Sequence, residues 1–81
     1  MELKFRSGNE LFLYKIDRSS RKLIVASSKT NYTEVERPWT DLFDKGKEEL
    51  QDKATEALSD FMFLHIVKYH MKKLGYILIG D

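Results

Sequence analysis

The chain has 81 residues, 42% hydrophobic and 33% charged, with a net charge of +1 and no cysteine. This is globular composition, because disorder requires fewer aliphatic residues and a larger net charge. The missing cysteine excludes a disulfide framework and a thiolate metal site, and it points to a reducing cytoplasm.

A chain of this length makes one domain and buries only about 60% of the surface its unfolded form exposes. The small net charge hides a segregation. Residues 1–30 carry seven Lys/Arg against three Asp/Glu, residues 31–60 four against nine, and residues 61–81 three against one. A basic first third and an acidic middle are two surfaces of one small domain. They either neutralise each other or face partners of opposite sign.

From Glu2 to Arg6 charged residues alternate with Leu3 and Phe5, the period of a half-buried strand. The same alternation excludes a signal peptide, and no apolar run approaches the roughly 18 residues of a membrane span. Ser7-Gly8-Asn9 reads as a turn. Residues 10–16 predict a second strand, with Phe12, Tyr14 and Ile16 on one face and Leu11 and Leu13 on the other. After the polar loop at residues 17–20, residues 21–27 predict a third strand through Leu23, Ile24 and Val25, completing a meander. Residues 31–37 hold β-formers with poor alternation and predict a short edge strand, guarded by Glu34, Glu36 and Arg37 and ended by Pro38.

From Trp39 to Leu74 the period becomes helical. Thr40 is a candidate N-cap with Asp41 in the first turn, and Phe43, Leu50, Ala54, Ala57 and Leu58 mark a buried stripe. One helix over residues 40–74 would be about 52 Å long, against a domain radius of gyration near 12 Å. Ser59 and Asp60 offer a break, with Leu58 and Phe63 placed as a hydrophobic staple. The expectation is therefore two helices, over 40–58 and 60–74. The second would bury Phe61, Leu64, Val67, Met71 and Leu74 on one face. Gly75 suits its C-terminus, and residues 76–79 predict a last strand returning to the sheet. The expected fold is α+β: an antiparallel meander of three to four strands, two helices packed on one face, and a short C-terminal strand.

No motif points to a reaction. His65 and His70 lie five residues apart, about 140° around a helix, which is not the zinc-chelating i, i+4 pair. The four glycines are scattered, so no phosphate loop forms. No cofactor or metal is expected, and the chain reads as a non-catalytic protein-interaction or regulatory module.

Three residue groups are candidate contact sites. Asp44, Glu48, Asp52 and Glu56 recur every four residues, a negative ridge that would cost a helix about 0.2–0.5 kcal/mol per pair. Such a ridge suits a basic protein partner. Met62, Phe63, Ile66 and Tyr69 are apolar beyond what one small sheet can cover. Either the first helix covers them or a second copy does, making a homodimer. Lys15, Arg18, Arg21 and Lys22 cluster around the second hairpin. They support an alternative, a nucleic-acid surface on which Phe12 and Tyr14 would stack bases if they faced outward. The full ribonucleoprotein motif is absent, and the pI of about 8.0 is low for a dedicated binder.

Overall fold

The computed structural model describes residues 1–45 and 57–80. It is an α+β domain built on one five-stranded antiparallel sheet. The strands are β1 (Glu2–Ser7), β2 (Glu10–Asp17), β3 (Lys22–Ser27), β4 (Val35–Arg37) and β5 (Ile77–Ile79), in the spatial order β4-β3-β2-β1-β5. Helix α1 (Asp60–Lys73) packs on one face.

Local chemistry accounts for the meander. Ser7 pairs with Glu10 across a two-residue turn in which Gly8 takes φ of +60°. That is the first-position geometry of a type II′ turn, whose twist matches the strands. The next hairpin closes over four residues, and the Asp17 carboxylate accepts from the Ser19 hydroxyl and the Ser20 N–H. These bonds hold its acid well below the ordinary carboxylate range.

Register decides which residues are core. Leu3 faces Tyr14, Phe5 faces Phe12 and Leu78, and Leu23 faces Ile16. All lie on the helix side, where Phe5, Leu23, Leu42, Phe63, Val67 and Met71 are essentially fully buried. The opposite parity places Lys4, Arg6, Leu11, Leu13, Ile24, Ile77 and Ile79 on the other face. Among the described residues no helix packs on that face.

The fifth strand of the sheet is residues 77–79, which return to pair with β1. The expectation of two helices needs correction, because the described residues contain one α-helix. Trp39–Leu42 is a 3-10 turn, Thr40 is not its N-cap, and Phe43 is extended. The segment is anchored from across the fold, where His70 Nε2 meets the Asp41 carbonyl at 3.0 Å. Buried Trp39, Leu42 and Phe43 anchor the turn, with Trp39 stacked on Phe63 at 5.9 Å between centroids. Most of the expected helix over 40–58, including Leu50 and Ala54, lies outside the described residues.

Helix α1 has the signals its sequence carries. The Ser59 hydroxyl accepts the Met62 N–H at 3.2 Å, and Asp60 occupies the first turn. At the other end Tyr76 N–H donates to the Met71 carbonyl and Gly75 N–H to that of Lys72. This is a Schellman closure, and Gly75 takes the φ of +92° it requires.

Candidate functional site

The outer flank of α1 exposes large apolar side chains. Met62, Ile66 and Tyr69 recur at i, i+4 and i+7 and so share one flank of the helix. Met62 is 45% exposed, Tyr69 60% and the neighbouring Phe61 77%, while Ile66 is partly buried. Lys73 Nζ lies 4.6 Å from the centre of the Tyr69 ring, a cation–π contact that fixes the ring without covering it. Beside this flank is a shallow hollow of about 390 Å³, walled by Phe43, Ile66 and Tyr69 and edged by Asp44, His65 and Lys73.

Phe63, grouped with these residues from the sequence, belongs to the core. It is fully buried between Trp39 and Phe43, with the Arg18 guanidinium 4.7 Å from its ring centre. Phe61 and Leu74 move the other way. Both were expected on the buried stripe, and both are exposed. The buried stripe is Phe63, Val67 and Met71, at strict four-residue spacing. The signal for this phase is in the sequence. Phe61 shares its helical face with His65, Lys68 and Lys72, which are all exposed.

Asp44 is the only member of the acidic ridge among the described residues; Glu48, Asp52 and Glu56 lie outside them. It stands outside regular helix and is engaged internally. Lys73 Nζ donates to its Oδ2 at 2.9 Å, and His70 Nδ1 meets its Oδ1 at 2.8 Å. Those two bonds, that from Lys73 the larger, hold the Asp44 carboxyl below the usual range. The second nitrogen of His70 faces the Asp41 carbonyl. Both ring nitrogens therefore meet oxygens of the segment at residues 41–44. His70 pins the segment at residues 41–44 onto the C-terminal half of α1, and no local sequence signal foretells it.

The basic hairpin is paired with carboxylates of its own chain. Lys15 meets Glu34 at 2.6 Å, Arg18 meets Asp60 at 2.7 Å, and Lys22 meets Glu36 at 3.7 Å. Arg18 also donates to the Leu58 carbonyl. Arg21 sits on the exposed hairpin loop at a φ of +53°. Phe12 and Tyr14 face the core side, in edge contact with Tyr76 and Phe5 respectively. They do not form an outward platform for bases. Burial, with the neighbouring Tyr76 and Asp41 adding to it, pushes the Tyr14 hydroxyl up to about 12. That hydroxyl stays protonated in a cleft of about 680 Å³ between the sheet and the C-terminal end of α1.

Among the described residues no three His, Asp or Glu side chains gather into a metal-holding group. No helix among them is long and apolar enough to cross a membrane. No protein-family model matches the chain, and neither a curated protein nor a solved structure shows significant similarity to it.

Proposed function

We propose that the chain is a non-catalytic protein-interaction module of the cytoplasm, and that its contact surface is the outer flank of α1. The observation that carries this reading is the exposure of Met62 and Tyr69 on one flank of α1, with Phe61 exposed beside Met62. Exposed apolar side chains lose free energy in water and recover it when a partner covers them. Aromatic residues and methionine are also the types enriched at protein interfaces. The paired state of Lys15, Arg18 and Lys22 weighs against the nucleic-acid alternative, because each phosphate contact would first have to displace a carboxylate.

The test is affinity capture from nuclease-treated lysate, comparing wild type with Phe61→Ser combined with Tyr69→Ser. Both positions are exposed, so the variant should melt with the wild type. The expected outcome is a protein partner that survives nuclease and is lost with the variant. Capture that disappears on nuclease treatment and ignores the variant would favour the basic hairpin as a nucleic-acid surface.

A further inference from the structure

We propose that the open face of the sheet binds an acidic amphipathic helix of a partner protein, laid along β1. This face lies opposite α1, so the inference stands or falls separately from the reading of the α1 flank.

Register sets out the surface. Lys4 is flanked by Leu13 on β2 and Ile79 on β5, and Arg6 by Leu11 and Ile77. Two rows thus repeat one pattern, a cation between two aliphatic side chains. Lys15, Arg18, Lys22 and Lys29 each meet a carboxylate, whereas Lys4 and Arg6 make no ion pair among the described residues. These two cations are both exposed. An anionic partner can pair with them without breaking an existing contact.

The spacing suits a helix. Lys4 and Arg6 are alternate residues on a strand, about 6.7 Å apart, and carboxylates one turn apart on a helix are separated by a rise of about 6 Å. The aliphatic rows on β2 and β5 flank β1 at one strand spacing each, about 10 Å in all, close to the diameter of a helix. A partner helix along β1 would set two carboxylates over the cations and its aliphatic residues against Leu11, Leu13, Ile77 and Ile79.

Tyr32 supplies an independent observation. Asn31 and Tyr32 both take left-handed backbone, at φ of +57° and +61°. For a bulky residue such as tyrosine that conformation is strained and rare. The turn is held by the Tyr32 N–H donating to the Ser27 carbonyl at 2.8 Å. It leaves the Tyr32 ring half exposed at the wall of a hollow of about 290 Å³ shared with Lys4, Leu11, Leu13 and Ile79. Glycine would relieve the strain, but only a side chain can wall the hollow.

The test titrates isotope-labelled protein with a synthetic helical peptide carrying leucine and glutamate on one face. Its twin with lysine for glutamate, phosphatidylserine vesicles and a single-stranded oligonucleotide serve as alternatives. Amide shifts should map to β1, β2 and β5, with the glutamate peptide binding about tenfold or more tightly than its twin. Lys4→Glu combined with Arg6→Glu should reverse that preference. Tyr32→Gly should not lower the melting temperature, because it relieves the strained backbone, and should weaken the glutamate peptide several-fold. Equal binding of the two peptides, no binding of either, shifts confined to α1, or binding of vesicles or oligonucleotide alone would overturn the proposal.

Discussion

At the residue scale, the tie between Asp44 and α1 joins the segment after β4 to the helix. Its pH dependence follows from the direction of one shift. Lys73 and His70 lower the folded-state pKa of Asp44, so the folded form binds its proton less readily than the unfolded form. The stabilisation is therefore present above the unfolded value, about 3.9, and lost as pH falls through the lower folded value. Asp44→Asn should melt below wild type at pH 7, and thermal melts should show the two converging as pH is lowered from about 4. A constant gap across that range would mean that the carboxylate charge is not what holds the tie. Nothing in the sequence announces this contact. Asp44 and His70 are 26 residues apart, and only the packing of α1 on the sheet brings them together.

At the element scale, structure was legible wherever a local period carried it. The strands of the meander follow from alternation, and α1 from its cap and its closing glycine. Ser59→Ala should cost about 1 kcal/mol, read by denaturant titration, because the Met62 N–H loses its acceptor. An unchanged midpoint would show that the cap is idle. What was not legible depended on distant partners. The pairing of β5 with β1 is set by where α1 delivers the chain, which periodicity does not encode. The helical signal from Thr40 gave way to a 3-10 turn anchored by distant partners, with Trp39, Leu42 and Phe43 buried and the Asp41 carbonyl facing His70. The phase of α1 was legible and was misassigned. Phe61 looks apolar in isolation, but its own helical face is otherwise His65, Lys68 and Lys72.

At the scale of the whole molecule, the described part of the acidic middle pairs with the basic hairpin. The basic second hairpin is tied to the acidic middle by Lys15–Glu34, Arg18–Asp60 and Lys22–Glu36. Exposed pairs of this kind contribute about 0–1 kcal/mol each. Their main effect is to neutralise the surface that looked most like a nucleic-acid site. The radius of gyration of 12.2 Å agrees with the expected size, and exposed apolar side chains include Phe61, Met62 and Tyr69 on α1 and Leu11 and Ile77 on the open sheet face.

Hydroxyl-radical footprinting separates the outer flank of α1 from the basic hairpin as the contact surface. Phe61, Met62 and Tyr69 are exposed and of oxidisable types, so each reports its own accessibility. With the captured partner bound, all three should be oxidised several-fold more slowly than in the free protein. Oxidation at the free-protein rate, with protection confined to the hairpin carrying Lys15, Arg18, Arg21 and Lys22, would contradict the account.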